Sequence, residues 1–172
     1  MNADLARLLR DVPDFPKPGI LFKDITPLLR DPAGFRASVE RLSALLPAGL
    51  DALVGVEARG FIFGAAMAAH LGVGFVPARK KAKLPAAVDR VTYALEYGED
   101  CLEMHRESLR AGDRVVVVDD VIATGGTAQA AVDLARMQGA TVVGAAFVIE
   151  LAFLNGRGRL PADVPVHTLL TF

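Results

Sequence analysis

Two adjacent carboxylates, Asp119 and Asp120, follow a run of four valines and precede a short segment rich in glycine and hydroxyl side chains. That segment consists of Ala123, Thr124, Gly125, Gly126 and Thr127. Glycines let backbone N–H groups approach an anion closely, and a helix that begins here adds a partial positive charge. We therefore expect the segment to bind a monophosphate. The two carboxylates would be repelled by that phosphate, so we expect them to accept hydrogen bonds from sugar hydroxyls or to interact with Mg²⁺.

Other interpretations of this segment fit the sequence less well. An apolar strand that ends in two aspartates also resembles the Mg²⁺-binding strand of nucleoside triphosphatases, but the chain has no G-x-x-x-x-G-K-[ST] loop. A dinucleotide-binding fold would need G-x-G-x-x-G after its first strand, and this pattern is missing too. In a purely structural interpretation, Asp120 ends a strand and the glycines turn the chain. We disfavour this interpretation because the strand, the acid pair, the hydroxyls, the glycines and the helix start all fit a binding site for a phosphate and a sugar.

The elements around this segment predict an α/β fold. The valine run at 115–118 has no polar face, which is typical of a central strand buried on both sides in a parallel sheet. Apolar runs predict further strands at 52–56, 73–78, 142–149 and 166–170. Helical spacing predicts helices at 61–71, at 127–138 and from the Asp31 cap to Pro47. Because strands alternate with helices, we expect a central parallel sheet flanked by helices.

A basic stretch and a hairpin interrupt this alternation. Residues 79–90 are rich in Arg and Lys, and we expect them to be irregular. Residues 91–97 alternate between apolar and polar side chains, which predicts a half-buried strand with Glu96 on its polar face. A turn at 98–100 and a second strand at 101–106 complete the predicted hairpin.

Composition narrows the class of protein. The 172 residues include 19 Lys and Arg against 20 Asp and Glu, for a formal net charge of −1. Without a basic surplus we expect no binding to nucleic acid or to an anionic membrane. Hydrophobic residues make up 52%, which argues against disorder. The single cysteine, Cys101, cannot form an internal disulfide, and no signal peptide or membrane span is evident. We expect one cytoplasmic domain.

The segment around Asp119 and Asp120 resembles the phosphoribosyl-pyrophosphate (PRPP) loop of the type I phosphoribosyltransferases. Segments 15–28, 56–61, 79–85 and 93–98 resemble those of the family's adenine-specific members. The resemblance covers the whole chain in consistent order. It implies the type I phosphoribosyltransferase fold as a single domain over 1–172. It also implies a small N-terminal base-binding hood at 1–30 and a mobile lid loop and hairpin at 79–106.

The resemblance also implies roles for individual residues. The 5-phosphate would bind 123–127, and the ribose hydroxyls would bind Asp119 and Asp120. The pyrophosphate-binding set would be Glu57, Ala58, Arg59, Arg79 and Lys83. The peptide bond between Glu57 and Ala58 is cis in relatives. The adenine-binding set would be Leu21, Phe22 and Lys23, with Lys23 at a position where many relatives have arginine. Glu96 and Arg59 would be catalytic, and Tyr97 would order the lid.

The implied reaction transfers the phosphoribosyl group of PRPP to adenine, giving AMP and pyrophosphate, in a homodimer. Mg²⁺ would bind mainly through PRPP, with Asp119 and Asp120 as candidate ligands. Two alternatives stay open, a 6-oxopurine phosphoribosyltransferase and a non-catalytic PRPP-binding regulator. The histidines are scattered without the spacing of metal ligands, and we expect them and Cys101 to be structural. These histidines are His70, His105 and His167.

Overall fold

The computed structural model describes residues 2–94 and 98–172, so Glu96 and Tyr97 lie outside the described residues. The N-terminal segment contains α1 (Ala3–Ala6), β1 (Arg10–Pro13), β2 (Leu21–Asp24) and α2 (Thr26–Arg30). Strands β1 and β2 form a separate antiparallel pair with Val12 opposite Phe22. Prolines and a cis Phe15–Pro16 bond shape the loop between them.

Seven strands form the main sheet of the described chain. They are β3 (Ala52–Val56), β4 (Gly74–Lys80), β5 (Val88–Ala94), β6 (Glu99–His105), β7 (Arg114–Ile122), β8 (Thr141–Glu150) and β9 (Val166–Thr171). Their order is β5-β6-β4-β3-β7-β8-β9. The predicted parallel pairing is confirmed for the five neighbouring strands β4-β3-β7-β8-β9. Strands β5 and β6 add an antiparallel hairpin at one edge, so the sheet is mixed.

Helices cover both faces of the sheet. Helices α3 (Pro32–Ser43) and α4 (Arg59–Leu71) share one core cluster with the N-terminal segment, and α5 (Gly126–Met137) belongs to the cluster on the other face. The Asp31 carboxylate caps α3 by accepting a hydrogen bond of 2.6 Å from the Gly34 N–H. The helix ends at Ser43, before the predicted Pro47, because the N–H groups of Leu45 and Leu46 bond only three residues back.

The prediction that residues 79–90 are irregular is wrong at both ends. Strand β4 continues through Lys80, and β5 already begins at Val88, which leaves only 81–87 between them. Pairing with β6 explains the difference, since Arg79 and Arg90 both lie opposite Glu103. The charged side chains at 79–80 and 89–90 obscure the alternation of apolar and polar residues by which a strand is recognised in the sequence. No helix in the described part of the chain is long and apolar enough to cross a membrane.

Candidate active site

A cavity of about 310 Å³ lies at the carboxyl ends of β3 and β7. Its lining residues come from three segments: Glu57, Ala58 and Arg59; Lys80; and residues 119–128. In open α/β sheets this edge is where ligands bind, because loops that follow neighbouring parallel strands meet there. The structure therefore brings together the predicted phosphate-binding loop, both aspartates and part of the predicted pyrophosphate-binding set.

The predicted phosphate-binding loop forms the floor of the cavity and the start of α5. Gly125 is the N-cap residue and has a φ of +80°, a conformation that favours glycine. The first N–H groups of this 12-residue helix have no partner within the helix, and they carry its positive dipole end. The loop can thus bind an anion with backbone groups, as we expect of residues 123–127.

A C-terminal segment supports this loop from behind. Two 3-10 turns, Ala152–Leu154 and Gly156–Arg159, follow β8. A Cβ atom on Gly125 would lie 2.3 Å from the carbonyl oxygen of Gly156, and a Cβ on Gly156 would lie 2.1 Å from the carbonyl oxygen of Ala123. The two backbones therefore touch at glycines, and neither position has room for a side chain.

An ion pair fixes the same segment to the sheet. The Arg157 guanidinium donates hydrogen bonds of 2.9 and 2.6 Å to the two carboxylate oxygens of Glu150, which is buried. Thr168 donates a third, of 3.1 Å. Hydrogen bonds from Arg157 lower the pKa of Glu150 below its usual value. Sequence reasoning missed Gly156 and Arg157. The available signal was a carboxylate at the end of an apolar strand with a Gly-Arg pair soon after it.

The two aspartates of β7 occupy different environments. Asp120 is buried, and its carboxylate accepts a hydrogen bond from Nε of Arg59. Burial, and then the charge of Asp120, raise the pKa of Asp119 well above its usual range. Helix α4 begins directly against this pair, since a Cβ on Gly60 would lie 2.9 Å from Oδ1 of Asp119. The acids thus offer acceptors to a ligand between α4 and the phosphate-binding loop.

The turn after β3 brings Glu57, Ala58 and Arg59 to the cavity, and the Glu57–Ala58 peptide bond is cis, as the resemblance implies. Arg79 donates hydrogen bonds of 3.2 and 3.1 Å to the Glu57 carboxylate, and the Lys80 N–H donates one of 2.9 Å. Burial raises the pKa of Glu57, but these hydrogen bonds outweigh it and leave the pKa below its usual value. Glu57 therefore acts as a charged anchor for β4.

Two members of the predicted pyrophosphate-binding set lie elsewhere. Arg79 and Lys83 are not among the described residues that line the cavity. Arg79 is bound to Glu57 and also donates a hydrogen bond of 3.1 Å to the carbonyl oxygen of Lys83. The Lys83 residue is exposed. Their role toward pyrophosphate stays a prediction.

Lys80 is the cation that sequence reasoning missed. It lines the cavity, and its ammonium donates hydrogen bonds to Asp100 and, at 2.9 Å, to the Tyr93 hydroxyl. Burial lowers the pKa of Lys80, but these two partners outweigh it and raise the pKa above its usual value. Alternation along β4 was the available signal, because Lys80 shares a face with the buried Val76 and Ala78.

Of the predicted adenine-binding residues, Phe22 has a contact with a cavity residue. The guanidinium carbon of Arg59 lies 5.8 Å from the centre of its ring. Leu21 is exposed, and Lys23 contacts Asp11 at 2.7 Å and lies 4.2 Å from the centre of the Phe172 ring. Leu21 and Lys23 are not among the described lining residues, so an adenine subsite would have to form beside Phe22.

Comparisons with known proteins agree with this geometry. The family model of the phosphoribosyl transferase domain matches residues 33–169. The adenine phosphoribosyltransferase of Synechococcus sp. (strain JA-3-3Ab) is 61% identical over 169 residues, which cover 97% of each chain. The solved adenine phosphoribosyltransferase of Rhodothermus marinus matches with a TM-score of 0.93 at 52% identity, over 99% of this chain and 97% of that one.

A second solved relative is a complex with ligands. It is the adenine phosphoribosyltransferase of Saccharomyces cerevisiae, complexed with D-2,5-dideoxy-2,5-imino-altritol 1,6-bisphosphate and adenine. It matches with a TM-score of 0.92 at 43% identity, over 97% of each chain. Fold, cavity, family match and full-length relatives lead to one assignment: the chain belongs to the phosphoribosyltransferase family, among the adenine phosphoribosyltransferases.

Proposed function

We propose that this chain transfers the 5-phosphoribosyl group of PRPP to adenine in purine salvage. The bond between ribose C1 and the pyrophosphate oxygen breaks. Adenine N9 forms the new bond to C1 and loses its proton, so the products are AMP and pyrophosphate. The observation that carries the proposal is that one cavity joins an anion-binding helix start, an acid pair and the Arg59 turn.

The residues of the cavity suit three parts of PRPP. The loop at 123–127 offers backbone N–H groups to the 5-phosphate. Asp119 and Asp120 offer acceptors to the ribose hydroxyls. Arg59 and Lys80 line the same cavity and suit the pyrophosphate, which gains negative charge as it leaves. Fixed charges aimed at that developing charge account for acceleration without a protein nucleophile.

The proton of adenine N9 needs an acceptor. Glu96 stays the candidate by resemblance, and Tyr97 stays the candidate for ordering the lid. Both residues lie outside the part of the chain that the structure describes. The hood at 1–30 and the lid at 79–106 are likewise proposals, supported by the separate β1–β2 pair and by the β5–β6 hairpin next to the cavity.

Adenine is favoured over the alternatives by the relatives. Full-length relatives at 53–61% identity are named adenine phosphoribosyltransferases, which argues against a 6-oxopurine enzyme. A PRPP-binding regulator would need the same cations for affinity, so the relatives named as enzymes are what argue against it. Phe22, in contact with Arg59, supports a stacked base at the N-terminal segment.

Mg²⁺ is proposed as the cofactor, carried by PRPP. The described residues contain no group of three or more His, Cys, Asp or Glu side chains that could hold a metal ion. Asp119 and Asp120 can supply oxygen ligands from one side, which fits an ion bound mostly through phosphates. Bound there, Mg²⁺ would neutralise charge on the pyrophosphate. Asp119 and Asp120 would help to orient the ribose whether or not they contact the ion.

A homodimer in the cytoplasm completes the proposal. Ile62, Ala65 and Ala69 form an exposed apolar stripe on α4, and a second copy of the chain could cover it. Sedimentation velocity on the protein and on Ile62→Glu tests this. We expect a dimer for the parent and a monomer for the variant, and a monomeric parent would refute the dimer.

The reaction is tested by measuring pyrophosphate release from PRPP and Mg²⁺ with each purine and pyrimidine base. We expect release with adenine and at least 100-fold less, on the order of 3 kcal/mol in barrier, with hypoxanthine or xanthine. Equal rates with hypoxanthine would indicate a 6-oxopurine enzyme. Tight PRPP binding without release for any base would indicate a regulator.

A further inference from the structure

The hydroxyl of Tyr93 is the centre of a small, partly buried network. Tyr93 lies on β5 and is only 7% exposed. Its hydroxyl accepts hydrogen bonds from the Lys80 ammonium at 2.9 Å and from the Thr127 hydroxyl at 3.2 Å. It donates one of 3.0 Å to the Asp100 carboxylate. A phenol has one proton to donate and can accept twice, so these three partners satisfy it completely.

The three partners belong to three different elements. Lys80 ends β4, Asp100 lies at the start of β6, and Thr127 lies in the first turn of α5. Lys80 and Thr127 line the cavity, whereas Tyr93 and Asp100 are not among the described residues that line it. The hydroxyl therefore connects the β5–β6 hairpin to two separate points of the cavity wall, one at the end of β4 and one at the start of α5.

Lys80 differs from the exposed lysines that follow it. Its side chain is 36% exposed, and its ammonium is held by two acceptors, Tyr93 and Asp100. An ammonium has three N–H donors, so one remains for an anion in the cavity. A free lysine side chain would lose considerable conformational entropy on binding such an anion, and the two fixed contacts have already removed most of that freedom.

We propose that Tyr93 is a positioning residue for the transfer reaction. Its hydroxyl holds the Lys80 ammonium toward the pyrophosphate end of the cavity and Thr127 toward the 5-phosphate end. The β5–β6 hairpin thereby sets the separation between the two phosphate-binding ends. The inference rests on the proposed function, because that function says which anions occupy those ends.

The variant Tyr93→Phe tests this by removing only the hydroxyl. We expect kcat for AMP formation to fall about tenfold, because the Lys80 ammonium loses its hydrogen bond to the hydroxyl. We expect the affinity for pyrophosphate with Mg²⁺, measured by calorimetry, to fall by a similar factor, while the KM for adenine stays within about twofold. The matched control is Thr92→Val, which removes a hydroxyl from the exposed neighbouring position of β5.

A purely structural role for Tyr93 would lower the stability of the fold. The effect of Tyr93→Phe on pyrophosphate affinity would then be the same with and without the Lys80 ammonium. The second measurement is therefore a double-mutant cycle with Lys80→Met. If Tyr93 acts through Lys80, its loss costs less than about twofold once the ammonium is gone. Asp100→Asn provides a further variant with an intact phenol, and we expect it to weaken pyrophosphate binding in the same direction.

Two outcomes overturn the inference. One is a Tyr93→Phe protein whose kcat and pyrophosphate affinity both stay within about twofold of the parent. The other is full additivity with Lys80→Met. If the parent itself makes no AMP from adenine and PRPP, the proposed function fails instead. The pyrophosphate affinities of the parent, Tyr93→Phe, Lys80→Met and the double variant then still decide whether Tyr93 positions Lys80.

Discussion

Arg59 and Asp120 are hydrogen-bonded to each other across the cavity, although the resemblance assigns them to different parts of the substrate. The Asp120 side chain is 6% exposed and that of Arg59 is 48% exposed. The guanidinium thus neutralises a buried carboxylate while it still faces the cavity. Burial lowers the pKa of Arg59, but the hydrogen bond and charge of Asp120 outweigh it and raise that pKa.

Arg59→Ala separates the two roles of this arginine. We expect kcat to fall on the order of 10²-fold, because the developing charge on pyrophosphate loses a fixed cation. AMP has no phosphate at C1, but its ribose uses the acceptors of Asp120, which loses its Arg59 partner in this variant. We therefore expect the AMP affinity to fall by less than about tenfold, well below the loss in kcat. Steady-state kinetics and AMP calorimetry are the measurements. Arg136→Ala, at an exposed ion pair with Asp163, is the control. Turnover within about twofold of the parent would place the pyrophosphate elsewhere.

Asp120→Ala tests the ribose assignment. The variant loses charge-assisted hydrogen bonds to sugar hydroxyls, which are worth about 1.5–3 kcal/mol. We expect AMP affinity to fall by about 10- to 150-fold, by calorimetry. The parent should discriminate AMP from its 2′,3′-dideoxy analogue, and the variant, which keeps only Asp119, should discriminate less. Asp133→Ala on α5 is the control, and equal discrimination by parent and Asp120→Ala would refute the assignment.

Gly156→Ala tests whether the C-terminal turns support the phosphate-binding loop. The new Cβ would lie 2.1 Å from the Ala123 carbonyl oxygen, so the loop must shift. Such overpacking costs about 1–3 kcal/mol, and we expect AMP to bind about 5- to 150-fold more weakly if the loop bears that cost. Gly158→Ala is a matched control in the same turn, where the atoms nearest to the Cβ belong to the Asn155 side chain and not to backbone. If both variants bind AMP equally, the support is not specific to Gly156.

Glu150→Gln tests the anchor of those turns through pH. The folded pKa of Glu150 is lowered, mainly by Arg157, so its charge stabilises the fold above the unfolded pKa of about 4.3. That contribution is lost as pH falls through the folded pKa. We expect the variant to be about 1–3 kcal/mol less stable at pH 7. The difference should shrink steadily below about pH 4 in urea titrations. A difference that is constant with pH would contradict the ion-pair account.

Local patterns predicted the parts of the site that are contiguous in sequence. One stretch of the sequence, 115–127, predicts a buried strand from its valine run, acceptors from Asp119 and Asp120, and a helix start from its glycines. The parallel sheet follows from the alternation of apolar strands with helices. These features depend on neighbours in the chain, and the structure places them in one cavity as expected.

Features that depend on distant partners were not predictable in the same way. Arg79 looks like a free cation in the sequence, yet it binds Glu57, which lies 22 positions earlier. Gly156 looks like a turn residue in the sequence, and the Gly-Arg pair does not show that it contacts the backbone of Ala123 and Gly125. Lys80 stands among other basic residues, and the alternation of β4 singles it out only once β4 is known to continue through it, which depends on pairing with β6. In each case the missing information is which segments pair.

Strand β3 pairs in parallel with β7, so that Val54 lies beside Val117. The partners are far apart in sequence, and such pairs form slowly because the intervening chain must be closed before contacts compensate for its lost entropy. Arg59 and Asp120, 61 positions apart, meet only once this pairing exists. A chain in which only the β5–β6 hairpin has formed has no cavity, because the cavity needs β3 and β7 side by side. A cavity ligand therefore selects molecules whose central sheet is complete, and by mass action it draws nascent or partly unfolded chains toward that state.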